Sequence, residues 1–476
     1  MKKLSREAQL GLGLILAILI GLSIFLIGKV GLWGLLLIPA LIGVIYLFYY
    51  IFKNPFFGFL LIIFFLPFER FPTYNLGGVD IRINVILGFL TLLAWFLAMM
   101  FNGKKWKLQS SSLTIPVVFF VIALLLSVTQ AYALQRAGMV LFFTIFTIGL
   151  AFLTVNMANS SENLKKIIGV LFVTSLVAGA FGLFQFGGDV VGLPQSITLL
   201  KIDYTSQVFG FPRVQSFSME PLYFANLLII PISLILAYLF AKDGTYKVWP
   251  LIGLFLLLGL NFVLTVSRGG YIGLAATILV FVLFYFKKIF TWQNIIAGVI
   301  AVVLIGYGVV FALSKGDYRS TNEFIGHVLL RDYKVGESVQ GRFATFRQAL
   351  KAYSWSPVVG IGLGNYGPHV AAYPIEPPKS GWAIVNNQYF ETLAETGIVG
   401  LTFFLLLILT LLVQSVRAIK VATDPYLKAT MVGLLAAFVG VLVQYNFFST
   451  LYIIHIWILI GLMAATQNLI LKKKIV

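Results

Sequence analysis

Residues 251 to 266 read LIGLFLLLGLNFVLTV, an almost continuous apolar run, and residues 295 to 312 and 398 to 416 are equally apolar. None of these runs alternates polar and apolar residues, as a barrel strand does. Each approaches the roughly 17 to 25 residues that a helix needs to cross about 30 Å of hydrocarbon. Lipid offers backbone groups no hydrogen-bond partners, so a crossing segment of this kind must be helical. The sequence predicts an all-α, polytopic integral membrane protein.

The composition agrees with this class and excludes others. Hydrophobic residues make up 60% of the chain and charged residues 11%, whereas a soluble domain has about 45 to 50% apolar and about 25% charged residues. The chain has no cysteine and only three histidines. Disulfides and thiolate metal sites are therefore excluded.

The apolar runs predict about 12 to 14 transmembrane helices. We interpret residues 10 to 28 as the first of them, because this apolar stretch is long for a secretory signal. The short third segment is a candidate for a re-entrant or tilted segment. The predicted helices lie near residues 10–28, 31–52, 56–68, 83–101, 113–132, 137–156, 166–187, 221–241, 248–266, 270–287, 293–313, 398–416, 428–447 and 451–470.

The formal net charge of +18 could indicate nucleic-acid binding, but the position of the lysines argues against it. Lysines recur at the N-terminus and in every second connection, and Lys472 to Lys474 lie next to the C-terminus. By the positive-inside rule these connections and both termini are cytoplasmic. We therefore expect a multi-pass protein of the inner (plasma) membrane, with its large loop outside and no nucleic-acid partner.

Three parts follow from this topology. Residues 1–313 hold the first eleven helices, residues 314–396 form a large outer loop or lid, and residues 397–476 hold the C-terminal helices. The loop is too short to bury much core of its own. We expect it to pack on the helices.

Arginines are concentrated in the connections predicted to be outer. Arg213 precedes the helix that starts at Pro221, and Arg268 lies in a break of a few residues between two apolar helices. Arginine binds carboxylate and phosphate oxygens in pairs, and helix N-termini favour anions. This pattern indicates an anionic ligand at the outer face. The alternative is that each arginine reaches the headgroups or pairs with an outer acid such as Asp80, Glu220 or Asp332.

The loop contains three recognisable features. Residues 342–352 predict an amphipathic helix with Arg342, Thr345 and Lys351 opposite Phe343, Phe346 and Leu350. The glycines at 360, 362 and 364 look like a phosphate-binding loop, but no strand precedes them and no Lys-Ser/Thr pair follows, so we interpret them as a tight turn.

The third feature is the end of the loop. Asn386 or Asn387 can cap a helix on which Asn387, Glu391 and Glu395 lie four residues apart along one face. That face is either directed at a ligand beside the membrane or is simply solvated.

This arrangement resembles the O-antigen ligase and polymerase superfamily of membrane glycosyltransferases. The ligase pattern of His, then Asn, Ser or Gln, nine residues and Gly-x-x-Gly is matched by Asn386, Asn387, nine residues, Gly397 and Gly400. The resemblance covers roughly residues 205 to 400. Further matching positions are Arg213 with Glu220 and Pro221, Ser267 to Gly269, Gly341 with Arg342, Trp355, Pro357 and the three glycines of the turn.

The resemblance implies a GT-C-like fold and a polyprenyl-diphosphate-linked glycan as donor, without a cofactor or metal. Arg213 and Arg268 would hold the diphosphate, and Arg342 or Arg347 would complete the clamp. The resemblance also implies an acceptor glycan and a chain-length regulator as candidate partners. Catalytic roles fall to Arg213, Arg268, Asn386 and Glu391, and acceptor or sugar binding to Asn387, Tyr389, Tyr373, Trp382 and Glu220.

Asn386 departs from the family pattern, since an amide cannot take a proton from the acceptor hydroxyl at neutral pH. Candidate replacements in the loop are Glu391, Glu395, His369 and Glu376. The missing histidine favours an O-antigen or exopolysaccharide polymerase that uses undecaprenyl diphosphate. The alternatives are an O-antigen ligase that acts on lipid A core or another acceptor, a lipid-linked oligosaccharide flippase, and a membrane scaffold.

Overall fold

The computed structural model describes residues 34–70, 73–76, 79–101, 109–242, 244–313, 326, 337–372 and 383–471. The helix predicted at residues 10–28 lies outside the described residues. So do Tyr373, Glu376 and Trp382 and most of the first part of the outer loop.

The described chain is helical apart from one hairpin of β1 (Thr73–Leu76) and β2 (Val79–Arg82). A 3₁₀ turn spans Ile202–Tyr204. The α-helices, in chain order, are α1 Gly34–Lys53, α2 Pro55–Phe64, α3 Ile83–Phe101, α4 Thr114–Val128, α5 Leu134–Met157, α6 Ser161–Val190, α7 Gln195–Thr198, α8 Ser206–Phe209, α9 Pro221–Ala241, α10 Val248–Leu264, α11 Arg268–Ile289, α12 Trp292–Leu313, α13 Glu337–Trp355, α14 Tyr366–Ala372, α15 Gln388–Val421, α16 Pro425–Gln444 and α17 Ile454–Leu471.

The prediction of a polytopic helical membrane protein is confirmed. Each predicted helix after the first coincides with a helix of the structure. Within the described residues, nine helices are long and apolar enough to cross a membrane, and a bent pair adds a tenth. Two shorter apolar helices, α4 and α10, lie among them. Large apolar side chains cover the outside of several helices, as on α11 and α12, where Leu283 and Val302 are 73% and 72% exposed. Lipid is the solvent that such a surface requires.

The bent pair is the predicted short third segment with the helix before it. The chain turns by 118° at Asn54, between Ile42–Lys53 and Pro55–Phe64. The segment is therefore a broken span or a re-entrant loop, as its length suggested.

Contacts divide the chain into two units, which are residues 1–58 with 90–106 and residues 59–89 with 107–476. All candidate site residues lie in the second unit. Its centre is α16, which packs on α9 and α11, while α17 packs on α5. Gly273 and Gly440 let α11 and α16 approach closely, and Thr277 bridges the two helices by donating to the Ala436 carbonyl at 3.2 Å. Small residues at such contacts are the usual means of close helix packing in membranes.

The described part of the outer loop packs on the start of α15. A small core joins Ala349 and Ala352 of α13 to Tyr366 and Val370 of α14 and to Ala394 of α15. These residues of the predicted lid therefore contact α15, and the position of the segment on the outer face stays a prediction.

The predicted faces of α13 hold only in part. Phe346 packs against the small core and Lys351 is exposed, as predicted. Phe343 and Leu350 are 62% and 46% exposed, however, and Thr345 turns inward and donates to the Val385 carbonyl at 3.0 Å. Alanines pack beside Phe346, because small residues allow α13 to approach the first turns of α15.

Candidate functional site

Arg213 is held in place by hydrogen bonds of its backbone and of its side chain. Its amide donates to the Tyr204 carbonyl at 2.8 Å, and the next amide, of Val214, donates to the Leu264 carbonyl at 2.9 Å. The guanidinium itself donates to Thr265 O at 3.3 Å through Nε and to Val266 O at 3.0 Å through Nη2. The segment before α9 is thereby fastened to the break between α10 and α11.

That break has an unusual backbone. Val266 adopts φ +47°, a left-handed conformation that is rare for a β-branched residue. Ser267 caps α11 by accepting from the Gly270 amide at 3.3 Å, and Arg268 is the first residue of the helix. Residues held in such conformations cluster at functional sites. Here the conformation turns the Val266 carbonyl toward Arg213 and starts α11 at an arginine.

Arg213 and Arg268 lie close enough to affect one another. Burial lowers the pKa of Arg213, and the charge of Arg268 lowers it further, while Tyr204, Tyr271 and Glu220 act in the opposite direction. Arginine remains protonated despite such shifts. The structure therefore brings together three predicted site residues, Arg213, Arg268 and Glu220.

Two more cations join this group, Arg70 and Lys201. The Gln215 side chain lies between the Arg70 guanidinium and the Lys201 backbone amide, and with its amide oxygen assigned toward these donors it accepts from both, from the latter at 3.2 Å. Burial lowers the pKa of Lys201, and the nearby charge of Arg70 adds to the effect. We call Arg70, Lys201, Arg213 and Arg268 the cation cluster.

The ring of Tyr204 lies within the cation cluster. The guanidinium carbon of Arg213 is 5.6 Å from its centroid, a cation–π distance. Burial raises the pKa of Tyr204 to about 12, an effect that Arg213 and Arg70 oppose.

Sequence reasoning named Arg213 and Arg268 but missed Lys201. The sequence did contain an indication of its role. Lys201 lies in the same predicted outer connection as Arg213. A lysine there does not serve the cytoplasmic charge bias.

Arg342 approaches the cation cluster from the lid. Its guanidinium carbon lies 5.3 Å from the ring centroid of Phe447, and Phe447 packs against Gly269, the neighbour of Arg268. Arg347 lies on the same helix but is exposed. Of the two lid arginines, Arg342 is the one that contacts Phe447, which packs at the start of α11.

The asparagines at the end of the loop are engaged in local structure. Asn386 adopts φ +56°, a conformation that asparagine tolerates better than most residues. Asn387 caps α15 by accepting from the Phe390 amide at 3.0 Å and also donates to Asn446 at 3.3 Å. The Tyr389 hydroxyl donates to Leu442 O at 2.8 Å. Their predicted roles in acceptor binding stay predictions.

Glu391 and Glu395 point into the protein, so the face they share is not solvated. Glu391 accepts from the Ser449 hydroxyl and, at 3.2 Å, from the Val385 amide. It lines a small cavity of about 100 Å³ together with Arg136 and Tyr452.

Glu395 has a different environment, the glycine turn of residues 360–366. Its two carboxylate oxygens accept from the amides of Gly364 at 2.7 Å and Tyr366 at 3.0 Å. Arg136 supports the turn by donating to the Gly364 carbonyl at 2.6 Å. The interpretation of the glycines as a tight turn agrees with this geometry, since the protein's own carboxylate occupies the amides.

A larger cavity has a volume of about 300 Å³ and is connected to the cation cluster through a shared acid rather than through the cations themselves. Glu220, whose charge acts on Arg213 and Lys201, is one of its lining residues. Thr450 and Tyr452 line both this cavity and the smaller one beside Glu391. The remaining polar residues around the larger cavity are Glu69, Arg82, Asn84, Thr147 and Tyr223.

A sequence model of the O-antigen ligase family matches residues 253–405, about a third of the chain. The match includes Arg268, Arg342 and Asn386 to Gly400, which carry much of the resemblance noted in the sequence. A search of curated proteins finds no match. The chain is therefore a multi-pass membrane protein whose residues 253–405 match the O-antigen ligase family, which supports the resemblance to the O-antigen ligase and polymerase superfamily.

Proposed function

We propose that this protein is a membrane glycosyltransferase that polymerises lipid-linked repeat units of a surface polysaccharide. The donor is a glycan on undecaprenyl diphosphate, and the acceptor is a sugar hydroxyl of a second lipid-linked unit. The observation that carries the proposal is the cation cluster, in which Arg213 of the segment before α9 lies near Arg268, the first residue of α11. A cavity of about 300 Å³ shares Glu220 with this cluster.

The cation cluster suits a diphosphate. A diphosphate carries several negative charges, and guanidinium groups bind its oxygens in pairs. Asp203 and Glu220 act on Lys201, and Glu220 also acts on Arg213, so the acids beside the cluster orient its cations as well as partly neutralising them. The N-terminus of α11 adds a favourable dipole.

The reaction follows from this charge distribution. The acceptor hydroxyl attacks the anomeric carbon, the bond from that carbon to the diphosphate oxygen breaks, and the diphosphate leaves with the electron pair. Stabilising charge where it develops is commonly the largest catalytic contribution. Arg213 and Arg268 hold the leaving diphosphate, and Arg342 approaches from the lid. Because these side chains supply the positive charge, we expect transfer without a metal.

A polymerase is favoured over a ligase by Asn386. The family's histidine would serve as a base toward a non-identical acceptor, and an amide cannot do so. A ligase remains the second candidate, because the matching family model is that of O-antigen ligases.

A radiolabelled lipid-linked repeat unit tests the proposal with purified protein in detergent. A ladder of longer lipid-linked glycans is expected for a polymerase. A single transfer that occurs only when a glycolipid acceptor is added would indicate a ligase. Movement of the donor across vesicles without a new glycosidic bond would overturn the proposal and indicate a transporter.

A further inference from the structure

A buried carboxylate and a buried histidine meet at the larger cavity. Glu69 lines the cavity and is 6% exposed, and His455 at the start of α17 is 2% exposed. Glu69 Oε1 lies 3.7 Å from His455 Nδ1, and Glu69 Oε2 accepts from the Met219 amide at 3.2 Å. Such charged groups within a membrane bundle are costly and usually functional.

Hydrogen bonds fix the orientation of His455. Asn226 donates through Nδ2 to Gln444 Oε1 at 2.6 Å, which leaves its Oδ1 facing His455 Nε2 at 2.7 Å. Asn226 thereby holds the Nε2 edge of the ring, and the Nδ1 edge faces Glu69.

Glu69 is also tied to the cation cluster through the backbone. The amides of Glu69 and Arg70 both donate to the Phe217 carbonyl, at 3.2 and 3.1 Å. The side chain of Glu69 lines the cavity, whereas Arg70 belongs to the cation cluster. Two consecutive residues thus bring a proton acceptor and a diphosphate-binding cation to adjacent places.

We propose that Glu69 is the catalytic base for the acceptor hydroxyl and that His455 is a positioning residue that orients the Glu69 carboxylate. This rests on the proposed glycosyl transfer. The acceptor oxygen forms its bond to the anomeric carbon and gives its proton to Glu69, while the bond from that carbon to the diphosphate breaks and the diphosphate departs with the electron pair toward the cation cluster. Glu69 then releases the proton to bulk water and returns to its carboxylate form.

The other carboxylates suit this role less well. Glu395 uses both oxygens for the glycine turn, and Glu391 is bonded to Ser449 and lines the smaller cavity. Glu220 is exposed, and its charge acts on the cations of the cluster. Among the described carboxylates, Glu69 combines burial, a cavity and a histidine within reach.

The first experiment compares Glu69→Gln with the matched control Glu162→Gln in the donor assay. Glu162 forms an exposed ion pair with Lys166 and is remote from the cavity. We expect Glu69→Gln to lower kcat by about 10² to 10⁴, the usual contribution of general acid–base catalysis, with unchanged binding of the labelled donor. Wild-type kcat in Glu69→Gln would overturn the assignment.

The pH profile separates a chemical role from a structural one. Burial raises the pKa of Glu69 above its ordinary 4.5, although Arg82 and the Met219 amide act in the opposite direction. The base must be deprotonated, so wild-type kcat should fall as the pH falls through this raised pKa. Five titratable groups lie around Glu69 in the cavity or against its side chain. They are Arg82 of β2, Glu220 at the N-cap of α9, Tyr223 of α9, Tyr452 and His455. Glu69→Gln should lose this acid limb, and His455→Gln should displace it.

Two outcomes must be kept apart. If the wild type transfers no glycan, the proposed function fails. If the wild type is active and Glu69→Gln is equally active, only the present inference fails. Should Glu69→Gln not fold, Glu69→Asp keeps the carboxylate and shortens the side chain; a lowered kcat with unchanged donor binding supports the inference, and wild-type kcat overturns it.

Discussion

The glycine turn and the cation cluster both present hydrogen-bond donors suited to an anion. They differ in whether the protein's own carboxylate already binds those donors. In the glycine turn, the amides of Gly364 and Tyr366 are bonded to the protein's own Glu395. In the cation cluster, four basic side chains lie close together, and the charges of Arg70 and Arg268 act on Lys201 and Arg213. An anion-binding geometry therefore indicates a ligand site only when the protein has not already supplied the anion. The glycine turn is completed by the protein's own carboxylate, whereas we propose the cation cluster as the site of a diphosphate.

The largest effect should come from the cation cluster. Arg268→Ala should abolish glycan transfer, a loss of at least about 10² to 10³ in kcat, because a group that stabilises the leaving charge is removed. The protein should remain folded and inserted. The control is Arg417→Ala, an exposed arginine on α15. Polymer of normal amount and length from Arg268→Ala would remove the cluster from the mechanism.

The glycine turn should respond in stability. Glu395→Ala removes the acceptor of two buried amides, each of which then costs about 1 to 3 kcal/mol. We expect a clearly lower Tm in detergent, measured against Glu162→Ala. An unchanged Tm combined with lost transfer would mean that Glu395 acts in the chemistry and that the comparison above is mistaken.

Lys201 tests whether the cluster extends beyond the family arginines. A hydrogen bond to a charged group contributes about 1.5 to 3 kcal/mol, so Lys201→Ala should weaken donor binding by about ten- to a hundredfold. Exposed Lys420 provides the matched control. Equal donor affinity in the wild type and Lys201→Ala would confine the site to arginines.

The lid arginines should differ from each other. Arg342 stacks on Phe447 next to the cluster, and Arg347 is exposed. A cation–π contact of about 0.5 to 1 kcal/mol corresponds to a factor of about 2 to 5. We expect Arg342→Ala to lower kcat/KM by at least this factor and Arg347→Ala to leave it unchanged. The reverse order would mean that the lid approaches the donor with its other face.

The smallest expected effect is that of a chelator. If basic side chains supply all the charge for the diphosphate, EDTA should leave the initial rate of glycan transfer unchanged. Loss of activity that Mg²⁺ restores would show that the cation cluster is insufficient by itself.

The sequence predicted the helices well because each apolar run carries its own reason to be helical in lipid. It also singled out Arg213 and Arg268 as candidate anion-binding residues, because an arginine close before or at the start of a membrane helix is visible in the local sequence. The faces of the lid helix α13 were predicted only in part: Phe346 packs inward, but Phe343 and Leu350 do not, because the packed face depends on how closely α13 approaches α15. Local periodicity contains no information about the partner surface.

The sequence by itself determined the class of protein and the order of its helices, and it predicted arginines as the anion-binding residues. Only the tertiary structure decided that Arg70 and Lys201 join Arg213, that Glu395 fills the glycine turn and that Glu69 faces His455. The physical reason is that helix formation in lipid is settled within one segment. A polar site depends on side chains from distant segments that desolvate together, and their proximity is set by packing.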